Sequence, residues 1–292
     1  MSYESLLADI EKEFSALPDK PEETPASVLR ALWLWAAGTP CSAVKAVNLA
    51  LPELSLAQQK SLESGIASWK NGEPLAYLVG RQHFCGLELL AGPQALIPRQ
   101  ETELLAKVAN DVVRTVTSPH PLLVDVCTGS GNIALYLAHE FPDARVYGAD
   151  LSNDAVMLAR QNANALELSS RSQFYCGDLL APFDNAEFLG KVDVITCNPP
   201  YICSKNVAQM PAEIAEHEPA MAFDGGPYGV SILQKLLSDA PRFLRPGGTL
   251  VFEVGMGQGK TIYKRAATSD AFKVVQMHED ASGQTRVISA RR

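Results

Sequence analysis

The sequence predicts an α/β fold, a seven-stranded mixed sheet preceded by a small helical bundle and a β-hairpin linker. Three observations predict it. From Pro121 onward, short apolar β-branched runs alternate with amphipathic helical stretches, the pattern of a parallel sheet covered by helices on both faces. The last two runs are joined only by His278 to Gln284, too short for a parallel crossover, so they pair antiparallel. Residues 1 to about 75 place their apolar side chains at helical rather than alternating spacing. The outline is Rossmann-like.

In order, Leu6, Leu7, Ile10, Phe14 and Leu17 recur at helical spacing behind Ser2 or Ser5 as caps. A proline-rich break spans Pro18 to Pro25. Helices follow over Ser27 to Ala37, Ser42 to Leu49, and Ser55 to Trp69, the last closing against Asn71-Gly72. Trp33 and Trp35 read as core of this bundle. Tyr77-Leu78-Val79-Gly80 and Phe84-Cys85-Gly86-Leu87-Glu88-Leu89 suggest a hairpin. The stretch Leu96 to Leu104 starts a helix with acids in its first turn, where the macrodipole favours them, and that helix runs to Thr117. Strands are placed at 121–127, 145–150, 172–177, 192–197, 248–254, 271–277 and 284–290. Helices fall near 132–141, 153–165, 229–244 and 258–267. The domains expected are a helical bundle over 1–75, a hairpin linker over 76–98 and the sheet domain over 99–292.

Composition narrows the function classes. The 292 residues carry a net charge of −8 (25 Lys and Arg against 33 Asp and Glu), which argues against a surface that works by neutralising phosphates. No direct nucleic-acid partner is expected. No apolar run approaches the roughly 20 residues that span a bilayer, and the start lacks a basic, then apolar, leader. The six cysteines are scattered without a Cys-x-x-Cys pair and read as small buried hydrophobes in a reducing compartment. The five histidines show no metal-ligand spacing, so no metal is expected. A cytoplasmic monomer is the expectation.

Four stretches at successive strand ends carry chemistry. Cys127-Thr128-Gly129-Ser130-Gly131 follows the first strand, its glycines allowing a tight turn and close approach of a cofactor. Ala134 stands where a dinucleotide fingerprint needs a third glycine, so the spacing fits an S-adenosylmethionine (SAM) loop better. Asp150, nineteen residues after Gly131 and followed by Leu151, can accept hydrogen bonds from two ribose hydroxyls. Asp178, followed by Leu179, can accept from an adenine amino group. Asn198-Pro199-Pro200-Tyr201 closes the fourth strand: the prolines stiffen the turn and remove two N–H donors. Asn198 and the turn's carbonyls can then grip both hydrogens of an NH2 group, with Tyr201 as an aromatic wall.

Together with Leu96-Ile97-Pro98-Arg99-Gln100-Glu101-Thr102-Glu103, His217-Glu218-Pro219, Asp224-Gly225-Gly226-Pro227-Tyr228-Gly229, Phe252-Glu253-Val254-Gly255 with Gln258, and Asp280-Ala281-Ser282-Gly283-Gln284-Thr285-Arg286-Val287, these residues resemble the HemK/PrmC family of protein-glutamine N5-methyltransferases. The likeness covers nearly the whole chain. It implies a class I SAM-dependent methyltransferase fold with an N-terminal substrate-recognition domain. It implies SAM at 127–131, Asp150 with Leu151, Asp178 with Leu179, and Asn198. The target glutamine amide, in the Gly-Gly-Gln loop of peptide chain release factors, would be held by 198–201.

Cys127 stands where the release-factor enzymes usually have glycine, and Gln100-Glu101 replaces their usual Pro-Asp. Cys127 and His217-Glu218-Pro219 also resemble the sister enzymes that methylate a large-subunit ribosomal protein. Small-molecule amides or amines are a further alternative. Asn198, Pro199 and Tyr201 are the expected catalytic residues: Asn198 Oδ1 and the Pro199 carbonyl each accept one amide hydrogen, and Tyr201 packs on the glutamine. His217 and Glu218 receive no catalytic role, and Glu253 with Arg286 reads as a structural pair.

Overall fold

The computed structural model describes residues 2–17, 19–203, 205, 217–226 and 229–292. They form two compact units, the first of residues to Gln100 with Glu218, the second of nearly everything else.

The first unit holds helices α1 (Tyr3–Glu13), α2 (Pro25–Ala36), α3 (Ala43–Ala46), α4 (Leu56–Lys70) and α5 (Leu75–Val79), then strands β1 (Arg81–Phe84) and β2 (Leu87–Leu90). Local chemistry fixes the helix starts. Ser2 caps α1, Ser55 and Gln58 cap α4 reciprocally, and Thr24 and Ser27 do the same for α2, whose first residue is Pro25. That proline starts α2 two residues before the predicted Ser27. Ile10, Val28, Leu29, Leu32, Leu62 and Ile66 make the core. Trp33 and Trp35 pack against it half-buried, and a Cβ on Gly65 would lie 2.9 Å from the Trp35 ring, which is why α4 can come so near α2.

The reading of Tyr77-Leu78-Val79 as extended is corrected. Pro74 presets the turn, Leu75, Ala76 and Val79 are buried at helical spacing, and Gly80 in the left-handed region (φ 66°) ends the helix. The hairpin proper turns at Cys85-Gly86, both at positive φ (46° and 84°), as a two-residue turn that matches strand twist demands. Glu88 on β2 accepts from the Ser42 amide and hydroxyl, which ties the hairpin to the bundle. Glu218 also belongs here: fully buried, it accepts from the Ile97 amide at 3.1 Å and ion-pairs Arg99.

A short turn (Gln100–Thr102) leads into α6 (Glu103–Arg114) of the second unit, which ends three residues before the predicted Thr117. Then follow β3 (Leu122–Val126), α7 (Asn132–Glu140), β4 (Arg145–Asp150), α8 (Asn153–Ala165), β5 (Ser172–Cys176), β6 (Val192–Cys197), α9 (Ser231–Phe243), β7 (Leu244–Glu253), α10 (Gly259–Ala267), β8 (Val274–Glu279) and β9 (Thr285–Arg291). The strands form one sheet in the order β5-β4-β3-β6-β7-β9-β8, parallel except for β9, which runs antiparallel to both neighbours. The seven-stranded mixed sheet with its antiparallel last pair is therefore as predicted. β3 and β6 are buried along their whole length, because helices cover both faces. β3 leads outward to β4 and the chain returns beside it as β6, so the switch of direction lies between these two strands. The crevice past their carboxyl ends is where open α/β sheets take ligands.

Not all cysteines are buried hydrophobes: Cys176 is exposed. Among the described residues no helix is long and apolar enough to cross a membrane.

Candidate active site

The glycine-rich loop is held from below by a buried carboxylate. Asp125 on β3 accepts from the hydroxyls of Thr128 and Thr196, both at 2.6 Å. Burial pushes its pKa up to about 6 against the pull of those hydroxyls. The sign of the linkage follows: the folded state binds the proton more tightly than the unfolded chain, so this residue's contribution to stability is full below about pH 4 and is lost as pH rises through about 6. The loss amounts to about 3 kcal/mol. The difference in unfolding free energy between wild type and Asp125→Asn, followed by denaturant titration from pH 4 to 7, should change by an amount of that order; a flat difference would refute it.

Above Asp125, Cys127, Gly129 and Gly131 all lie at positive φ (55°, 54° and 83°). A Cβ on Gly131 would press on Ala159, Leu135 and Phe174 at 3.1 to 3.2 Å, whereas one on Gly129 would meet nothing within 4 Å. Gly131 thus serves packing, and Gly129 presents bare backbone to open space. Asn162 holds the loop from α8 by donating to the Ser130 carbonyl at 3.0 Å. Among the described residues the buried Ser130 hydroxyl has no hydrogen-bond partner.

Asp150, at the end of β4, accepts from the Gly129 amide through Oδ2 and from the Ser152 amide through Oδ1, each at 2.9 Å. Burial raises its pKa and those amides oppose the rise. Both oxygens keep lone pairs beyond these bonds. The next side chain, Leu151, is 59% exposed. Asp178 is also half exposed, and its carboxylate is ion-paired with Lys235 on α9. Leu179 beside it is buried at positive φ (49°).

At the end of β6, Asn198 donates its Nδ2 hydrogen to Thr102 Oγ1 at 3.0 Å. Among the described residues nothing donates to Asn198 Oδ1 or to the Pro199 carbonyl. The Tyr201 hydroxyl donates to Glu253 Oε1 at 3.0 Å, and burial drives its pKa far above the ordinary phenol value. Arg286 lies 5.9 Å from the centre of the Tyr201 ring and reaches Glu101 at 2.9 Å and Glu253 at 3.5 Å. Glu253 and Arg286 are thus a buried pair, joined by Tyr201, whose polar end is spent inside the protein.

The rest of the cup is framed by backbone. Ile202 bridges to Asp224, with the Gly225 amide donating to the Ile202 carbonyl at 2.8 Å. A Cβ on Gly225 would lie 2.6 Å from the Pro200 carbonyl oxygen, and one on Gly255 would lie 3.0 Å from the Tyr201 ring. The Gln258 amide donates to the Tyr201 carbonyl at 3.0 Å and accepts from the Gly255 amide at 3.0 Å. Glycines 225, 229 and 255 of the motifs quoted above are therefore explained by contact with residues 200–201; Pro227 and Tyr228 fall outside the described residues.

Loop, Asp150, Asp178 and Asn198 all sit at carboxyl ends of neighbouring strands in one sheet. Thr102 and Lys235 were not singled out from sequence as site residues. Thr102 lay within a quoted motif, but its partner is 96 residues away.

The model of a methyltransferase domain matches residues 120–284. The release factor glutamine methyltransferase of Moorella thermoacetica is 39% identical over 221 residues, 76% of this chain and 76% of that protein. This chain belongs to the release factor glutamine methyltransferase family. The family member from Thermosynechococcus vestitus is likewise 39% identical, over 76% of this chain and 75% of its own length. The family resemblance read from the motifs is borne out, and the protein is an enzyme of the methyltransferase class. Among solved structures, the catalytic domain of hMettl16 in complex with MAT2A 3′UTR hairpin 6 superimposes with a TM-score of 0.54 at 14% identity, covering 70% of this chain and 75% of that one. That likeness is one of fold.

Proposed function

We propose that this methyltransferase moves a methyl group from SAM to the side-chain amide nitrogen of a glutamine, the one in the Gly-Gly-Gln loop of peptide chain release factors. The observation that carries the reading is a pair of acceptors, Asn198 Oδ1 and the Pro199 carbonyl, that are unspent among the described residues, beside a side-chain NH2 group that donates to Thr102. A primary amide offers two hydrogens in one plane, and two fixed acceptors match it.

The residues at the strand ends fit SAM. Gly129 offers bare backbone, Ser130 a buried hydroxyl without a partner, and Asp150 spare lone pairs for ribose hydroxyls. Exposed Leu151 suits an adenine face, with Leu179 and Asp178 beyond it. When bound, SAM supplies a methyl on a sulfonium with a neutral thioether as leaving group. The protein's task is the poor nucleophile, an amide nitrogen whose lone pair is delocalised. Asn198 Oδ1 and the Pro199 carbonyl orient that nitrogen and stabilise the positive charge it gains, preorganised dipoles of the kind that dominate catalysis. The N–H bonds become acidic as charge develops, so their protons, held at these two oxygens, can leave to water without a strong base. Accordingly Glu218, paired with Arg99 and the Ile97 amide, has no part in the transfer.

The test is transfer of labelled methyl from SAM to purified release factor, with ribosomal proteins and total DNA in parallel. Label on the glutamine of the Gly-Gly-Gln loop is the expected result. Label confined to a ribosomal protein or to DNA would overturn the choice of substrate.

A further inference from the structure

We propose that Gln258 is a positioning residue for methyl transfer: its carboxamide ties the Asn198–Tyr201 turn to the first turn of α10 and to Gly229, and so fixes where the Pro199 carbonyl stands. This rests on the reading of 198–201 as a cup for a primary amide.

The turn has little with which to hold itself. Pro199 and Pro200 have no N–H to donate, so this stretch of backbone is anchored only through carbonyls and flanking residues. Among the described residues, the first amide after the prolines to make a backbone hydrogen bond is that of Ile202, to the Phe223 carbonyl at 3.0 Å. The Pro199 carbonyl accepts from none of the described residues and, in the proposed reaction, serves the substrate. The Tyr201 carbonyl, two residues on, is the handle that remains, and Gln258 Nε2 donates to it at 3.0 Å.

A carboxamide can be turned end for end, and a hydroxyl partner would not decide its sense. Here every partner is a backbone group with one fixed role. The Gly255 N–H only donates, and it meets Oε1 at 3.0 Å. The carbonyls of Tyr201 and Gly229 only accept, and they meet Nε2 at 3.0 and 3.3 Å. Turning the group would set an N–H against an NH2 group and two carbonyls against a third oxygen. Both Nε2 hydrogens are thus used, on partners 57 and 29 residues away in the chain.

The stem of the side chain is fixed as well. The Gln258 backbone amide donates to the Gly255 carbonyl at 3.0 Å, and its carbonyl accepts from the amides of Thr261 and Ile262, both at 3.1 Å. Ile262 is buried in the core of the sheet domain. Two glycines leave the carboxamide its room: a Cβ on Gly255 would lie 2.9 Å from Oε1, and one on Gly229 would lie 3.0 Å from Nε2. A series of rigid contacts therefore runs from the core through α10 and Gln258 to the cup.

Gln258→Glu keeps the length of the side chain and the acceptor for Gly255, but sets an oxygen against the carbonyls of Tyr201 and Gly229. It should lower kcat for methyl transfer to release factor by ~10²-fold, the loss that goes with a displacement of about 1 Å at a reacting centre, with SAM affinity by calorimetry preserved. Gln258→Met, uncharged and of similar length, should lose as much, which separates the missing donor from the added charge. When Asn198 is already alanine, Gln258→Glu should cost no more than ~10-fold, because the turn then presents one acceptor instead of two. Exchange of the Gly255 amide with solvent, followed by NMR, reports on the tie itself: slow in wild type and in Gln258→Glu, faster in Gln258→Met. Near-normal turnover in either variant, a parallel loss of SAM affinity, losses that simply add to that of Asn198→Ala, or Gly255 exchange unmoved by Gln258→Met would each overturn the proposal. A fully active Asn198→Ala would instead refute the cup itself, so the two failures are distinguishable.

Discussion

Asn198→Ala should lower kcat for methyl transfer by ~10²- to 10³-fold, about 3–4 kcal/mol of transition-state stabilisation, the range for one lost preorganised dipole at a site of developing charge. SAM affinity and thermal stability should change little, since the side chain is only part-buried and a single hydrogen bond, to Thr102, is observed for it among the described residues. The split is what identifies the role. An interaction realised mainly in the transition state lowers kcat and kcat/KM together, whereas a uniform binding contact raises KM alone. Single-turnover transfer with saturating SAM decides between them, and near-normal turnover would remove the amide-gripping account altogether.

Gly229→Ala should be comparably damaging although glycine 229 offers no side chain to the reaction. Its φ of 65° is strained for alanine by roughly 1–2 kcal/mol. More important, the added methyl would fall inside van der Waals contact of the Tyr201 carbonyl oxygen, which is also held by Gln258. The 198–201 turn has to move, and displacements of the order of 1 Å at a reacting centre cost ~10²-fold in rate. The proposed SAM contacts at Gly129 and Asp150 lie at the ends of other strands and should survive. Calorimetry for SAM beside an activity assay tests this; full activity in Gly229→Ala would show that the turn is not rigidly framed.

The sheet was legible in the sequence because its inner strands are buried on both faces. Val192–Cys197 and Arg145–Asp150 are unbroken in pattern, and their predicted limits coincide with the observed ones. The edge was harder. β8 is mostly exposed, so no apolar run marks it, and the predicted strand started three residues early at Ala271. β7 begins at Leu244 rather than 248, because its pairing with β6 continues past Pro246-Gly247-Gly248 through a register shift. Tyr77-Leu78-Val79 misled because three apolar residues in a row carry no period of their own.

The candidate site divides the same way. Each strand-end residue was found from its own neighbourhood, since a glycine loop or an Asn-Pro-Pro turn states its chemistry locally. Their partners were not. Lys235 is 57 residues from Asp178, and Thr102 is far from Asn198, so both pairings exist only once the sheet has assembled.

The Lys235–Asp178 pair has a consequence for ionic strength. Both side chains are about half exposed, so dissolved salt screens their attraction. An adenine amino group that takes Asp178 as acceptor must compete with the lysine, and a neutral donor loses less to screening than a cation does. On the proposed reading of Asp178 as the adenine acceptor, added salt therefore loosens the lysine's hold on that acceptor, while it also screens the attraction between the sulfonium of SAM and a protein of net charge −8.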